Sequence, residues 1–161
     1  MLVLTTGYVY RYDLQDIASR LTAGLVPGSP VGGTSFDGRP QITLVSGADG
    51  QFHARGRVND ASVAFLVDTG ASTIVLTDAD ARAAGIDTSQ LSYSQPVTTA
   101  NGATTAARVS LASLAIGAIS RNRVPALVAR PGSLRTSLLG MSFLSTLQGF
   151  EFRGDRLILT D

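Results

Sequence analysis

Apolar residues recur along this chain in two rhythms. From Asp13 to Leu25 they fall at three- and four-residue spacing (Leu14, Ile17, Ala18, Leu21, Leu25), the mark of an amphipathic helix. Asp13 and Asp16 sit in its first turn, where the helix dipole favours anions. Pro27-Gly28-Ser29-Pro30-Val31-Gly32-Gly33 then breaks the pattern and reads as a linker. The chain accordingly divides into an N-terminal helix and linker, residues 1–38, and a compact domain, residues 39–161.

Beyond the linker the period shortens to that of strands. Ile42–Val45 is apolar, and Phe52, Ala54, Gly56 and Val58 alternate with polar residues. Asn59-Asp60 supplies a turn into Val63–Val67, and Ser72–Leu76 follows. Thr77 has the character of an N-cap, with Asp80 three residues on and Gly85 as the stop of one short helix. Pro96–Val109 reads as a hairpin about Asn101-Gly102, a dipeptide suited to a type I′ turn. Leu111–Ile116 and Val124–Val128 add strands, and Met141–Leu147 a second short helix. Phe150–Phe152 and Leu157–Leu159 pair about Gly154-Asp155. Many short strands with two short helices predict a mainly-β domain.

Composition narrows the chemistry more than it changes the fold. The 161 residues are 44% hydrophobic and 16% charged, which excludes disorder for most of the chain. Thirteen basic and twelve acidic residues leave a net charge of +1, without the electrostatic footprint of a nucleic-acid binder. All the basic residues are Arg, for which the sequence offers no physical reason. There is no Cys and a single His53, so thiol nucleophiles, disulfides and multi-histidine metal sites are excluded, and no cofactor is expected. Carboxylates and hydroxyls remain. The apolar start at Met1 is broken by Thr5, Thr6 and Gly7, too soon for a spanning helix of about 20 residues.

One stretch concentrates that chemistry. Phe65-Leu66-Val67-Asp68-Thr69-Gly70-Ala71-Ser72-Thr73-Ile74-Val75-Leu76 sets an acid, a hydroxyl and a glycine between two apolar strands. Asp, Thr and Gly also suit an ordinary turn. A turn facing solvent, however, rarely continues into Ile-Val-Leu, and a carboxylate between buried strands is costly unless paired or protonated.

These residues resemble those of the retropepsin-like aspartic peptidases, in particular the single-domain bacterial branch. The match begins at Asp68-Thr69-Gly70-Ala71-Ser72 and continues at Leu138-Leu139-Gly140, similar to the family's second apolar pair and glycine. The closing run from Leu139 to Leu159 also resembles that branch, so the resemblance covers Ile42 to Asp161. It implies a closed β-barrel with short helices, one half-site of a dimer, in which Asp68 lies at the floor of a cleft. Thr69 would hydrogen-bond the partner chain, and Gly70 would let backbones approach closely. Ala71, with Ala100, Asn101 and Gly102 at the hairpin tip, would line the substrate site beneath a flap. Ser72 stands where many viral relatives carry an acid.

The implied reaction needs two carboxylates about 3 Å apart that share one proton. This chain has one Asp-Thr-Gly and no Asp-Ser-Gly, while Asp78 and Asp80 are explained by a helix N-terminus. The second acid is therefore expected from a second copy, making the protein a homodimeric aspartic endopeptidase of peptides or proteins. The alternatives are a catalytically silent dimerisation or peptide-binding module of the same fold, and an unrelated β-rich binding domain. His53 reads as a satisfied strand residue, and Arg121 and Arg123 as a solvated loop pair. Ser142 lacks the surroundings of a serine nucleophile. The resemblance further implies a periplasmic location and an inner-membrane tether through a segment upstream of Met1.

Overall fold

The computed structural model describes residues 29–99 and 102–161; the helix expected at Asp13–Leu25 and the tip residues Ala100 and Asn101 lie outside them. Eleven strands, two short α-helices and one 3₁₀ turn make up the described residues. In chain order they begin with β1 (Val31–Thr34), β2 (Pro40–Val45), β3 (His53–Val58), β4 (Ala61–Val67) and β5 (Ile74–Leu76). Then come α1 (Asp78–Ala83), a 3₁₀ turn (Thr88–Gln90), β6 (Gln95–Thr99), β7 (Gly102–Ile116) and β8 (Ile119–Ala129). β9 (Ser137–Leu139), α2 (Met141–Leu144), β10 (Gly149–Arg153) and β11 (Arg156–Thr160) complete the order.

Seven strands run in the order β3-β4-β9-β5-β8-β7-β6, and β3 also pairs with β7. That extra pairing closes six of them into a barrel and leaves β6 outside as the free arm of a hairpin. The other four strands form a second sheet, β1-β2-β11-β10. Its buried positions Ile42, Leu44, Leu157 and Leu159 join the barrel residues Phe65, Ile74, Leu111 and Ile116, and Phe143 of α2, in one core. Alternation explains the strands: Ala54, Gly56 and Val58 of β3 and Val63 and Phe65 of β4 are buried at every second position, so one face meets the core and the other is turned outward. The mainly-β, retropepsin-type barrel read from the sequence is the fold observed.

Several local expectations need correction. Residues 31–34, read as linker, pair with β2 as an edge strand. Gly32 and Gly33 carry no hydrophobic alternation, so backbone hydrogen bonds alone make that strand. Leu111–Ile116 is not a separate strand but the second half of the 15-residue β7, whose first half belongs to the hairpin. Arg121 and Arg123 lie within β8, not in a loop; the polar run Ser120–Arg123 hides a ladder with Ser113–Ala115 that only pairing reveals. Arg121 is not a free solvated cation either, since it bonds Asp161 and Thr146. The helix expected at Met141–Leu147 ends at Leu144.

Candidate active site

β4 delivers the acid. Leu66 and Val67 run parallel to Leu138 and Leu139 of β9, so the two apolar pairs of the sequence lie side by side. The chain leaves the strand at Asp68, whose N–H donates to the Leu139 carbonyl at 3.1 Å. Gly70 N–H then donates to Asp68 Oδ1 at 2.9 Å, and Ala71 N–H to the Asp68 carbonyl at 3.2 Å. This is the turn that an Asp side chain makes with the backbone two residues on. It fixes Oδ1 and leaves Oδ2 with no partner among the described residues.

β9 supports the loop from beneath. It lies between β4 and β5, with Leu138 opposite Val75. Just past its end, Met141 N–H donates to the Ala71 carbonyl at 2.8 Å. A Cβ on Gly140 would stand 2.2 Å from the Thr73 carbonyl oxygen and 2.7 Å from that of Ala71. Close backbone approach is therefore required at Gly140. At Gly70, where the sequence pointed to it, a Cβ meets the Asp68 carboxylate at 3.1 Å and no backbone.

Four serine and threonine hydroxyls complete the frame. Ser142 Oγ accepts from Ile74 N–H at 3.0 Å and from Thr73 Oγ1 at 3.2 Å, which makes it a staple between loop and helix and not a nucleophile. Ser137, fully buried, accepts from Thr77 N–H at 3.0 Å and donates to Asp80 Oδ2 at 2.6 Å. Thr77 Oγ1 caps α1 by accepting from Asp80 N–H at 3.0 Å and donates to Asp80 Oδ2 at 2.8 Å. The expected capping box exists, but its return bond runs through Ser137. Neither serine's role was readable in advance; a polar residue opening the apolar run at Ser137 was the one available signal.

The remaining candidates have local duties. His53 pairs with Asp49 at 2.8 Å. Asp78 is buried against Arg82. Among the described residues no cluster of three or more His, Asp or Glu is placed to hold a metal ion.

Above Asp68 opens a cleft of about 1170 Å³. Val75, Leu127 and Leu138 contribute apolar wall, Gly70 and Ala71 line the acid's loop, and the β6–β7 hairpin forms the opposite side. Of the expected flap tip, Gly102 lines this cleft and pairs directly with Thr99. Gly102 is thus the first residue of β7. Thr69 is exposed in the single chain.

Residues 54–146 match the family model described as "gag-polyprotein putative aspartyl protease", which covers the acid loop, the hairpin and β9. The chain is a member of the retropepsin-like aspartic peptidase family. A Sinorhizobium relative, "Uncharacterized protein in cobV 5'region", is 43% identical over all of this chain and 69% of its own length. A Rickettsia prowazekii relative, "Uncharacterized protein RP867", is 38% identical over 98% of this chain and 66% of its own length. The chain thus spans about two thirds of both curated relatives. The crystal structure of a retropepsin-like aspartic protease from Rickettsia conorii superposes with a TM-score of 0.68 at 39% identity. It covers 74% of this chain and 89% of that one. EIAV protease complexed with the inhibitor HBY-793 shares the retropepsin fold, with a TM-score of 0.52 at 19% identity over 68% of this chain and all of its own.

Proposed function

We propose that this retropepsin-like chain is one half of an aspartic endopeptidase, active as a homodimer in which Asp68 of each copy meets the other across a two-fold axis. One observation carries the reading: the Asp68 carboxylate is held by its loop through Oδ1 alone, at the floor of a cleft, with Oδ2 left for a partner. A chain with a single Asp-Thr-Gly supplies one such acid, and the proposed chemistry uses two.

Two carboxylates in contact cannot both ionise, so the pair carries one proton. The ionised acid takes a proton from a water molecule as the water oxygen attacks the peptide carbonyl carbon. The protonated acid gives its proton to the carbonyl oxygen, producing a neutral tetrahedral diol. The acid that took the water's proton then gives it to the amide nitrogen while the other, now ionised, takes a proton from a diol hydroxyl, so that the C–N bond breaks, carboxylic acid and amine leave, and the pair again carries one proton. Gly70 fixes the carboxylate plane, Ala71 and Gly102 line the substrate channel with Ala100 and Asn101 at the hairpin tip, and Thr69 hydrogen-bonds the second copy. The family resemblance supports placing the full-length protein at the inner membrane, facing the periplasm; protease accessibility in spheroplasts tests that placement.

Incubation with a mixed peptide library across pH should give cleavage with a bell-shaped rate profile, since one proton must be present and the other absent. Asp68→Asn should abolish it while leaving the thermal unfolding midpoint in place. Cleavage retained by Asp68→Asn would overturn the aspartic mechanism.

A further inference from the structure

The cleft mixes apolar residues with hydroxyls and an amide but carries few charges, and that makes those charges conspicuous. Among the described residues that line it, Asp68 and Arg108 are the charged ones. Arg108 stands on β7 opposite Leu127, and Leu127 stands opposite Val75 of β5. The row Val75–Leu127–Arg108 therefore runs from the apolar wall to a guanidinium across three neighbouring strands, spaced about 4.8 Å apart. Alternation places Arg108 and Leu127 on the same face of the sheet.

The guanidinium is oriented but not neutralised. Its Nε donates to Oε1 of Gln95, a neighbouring cleft residue on β6, at 2.6 Å. No carboxylate among the described residues pairs with it, whereas Arg39, Arg82, Arg121, Arg153 and Arg156 each have an acidic partner. Nearby Arg130 is committed otherwise: it donates to Thr105 Oγ1 and the Tyr93 carbonyl and lies over the Tyr93 ring. A neutral amide on one edge sets the plane of Arg108, and its Nη end keeps the donors that match a carboxylate.

Resting on the peptidase reading above, we propose that Arg108 is a specificity-determining residue that selects substrates with a Glu or Asp side chain at an outer subsite, beyond the apolar residues flanking the scissile bond. The apolar wall accommodates the residues around the cleaved bond, and the Arg108 Nη end receives the acid. Gln95 is the positioning residue that holds the guanidinium in plane.

Matched fluorogenic peptides with one apolar scissile pair, carrying Glu, Gln or Lys in turn at each outer position, test the assignment. At one position the wild type should cleave the Glu peptide about tenfold better than the Gln peptide in kcat/KM, mainly through KM. The preference should shrink as salt is raised. In Arg108→Gln the Glu-to-Gln ratio should fall to about one. In Arg108→Glu the preferred peptide should become the Lys one, a gain that misfolding does not produce. Because each ratio is taken within one preparation, the fraction of folded enzyme cancels. Cleavage of the panel without charge preference, or a preference that survives in Arg108→Gln, overturns the role of Arg108 and leaves the peptidase reading standing. Failure of the wild type to cleave any peptide overturns both.

Discussion

Gly140 shows how much one absent methyl group can decide. Its Cα faces the carbonyl oxygens of Thr73 and Ala71 at distances no Cβ tolerates, and those carbonyls belong to the loop that carries Asp68. Gly140→Ala should cost at least about 3 kcal/mol, because backbone on both sides must move. Chemical denaturation checks this; an alanine variant within 1 kcal/mol of the wild type would mean that the loop yields easily. The residue-scale logic of Asp68 is different. Its Oδ1 bond to Gly70 orients the acid but contributes little to the core, so an asparagine in its place should remove chemistry and leave stability.

At the scale of elements, β9 has influence beyond its three residues. It carries the carbonyl that receives the Asp68 N–H, and it is fixed to α1 by Ser137. Ser137→Ala leaves the Thr77 N–H without its acceptor and removes a donor from Asp80. It should therefore lower stability by about 1–3 kcal/mol and reduce kcat with little change in KM. A variant with full kcat would show that the acid loop stands without this support. Much of this element-scale organisation was legible in the residues. The two apolar pairs, at Leu66-Val67 and Leu138-Leu139, flank an acid and a glycine, and alternation exposes β3 and β4 directly. β1 was not legible, because Gly32-Gly33 pairs through backbone alone and leaves no side-chain period. The strand around Arg121–Arg123 was hidden in the same way, by a polar run on an outer hairpin. Of the site, Asp68 and its glycine stood out by type and setting. Ser137, Ser142 and Arg108 act through contacts across 57 to 69 residues or through a cleft, which no local pattern encodes.

Over the whole molecule, Arg121 links β8 to Thr146 and to Asp161 beyond β11, so the last sheet is closed onto the barrel. The hydrogen bond from Arg121 holds the Asp161 carboxyl below its ordinary value of 3.8, against the opposing effect of burial. A lowered value means that folding favours the ionised form. The contribution is complete above about pH 4–5 and fades as pH falls through the lowered value. Asp161→Asn should therefore be about 1 kcal/mol less stable than the wild type near neutral pH, with the gap closing in strong acid. A gap that persists unchanged to low pH would assign the loss to packing instead. The central claim also lives at this scale, since one chain supplies one Asp68. Wild-type protein, unfolded and refolded with increasing shares of Asp68→Asn chains at fixed total concentration, measures it most directly. If each working site needs Asp68 from two copies, activity follows the square of the wild-type fraction, and an equal mixture retains about a quarter of the activity. An equal mixture that retains about half, in strict proportion to the wild-type chains, would show that each chain works alone and would contradict the shared dyad.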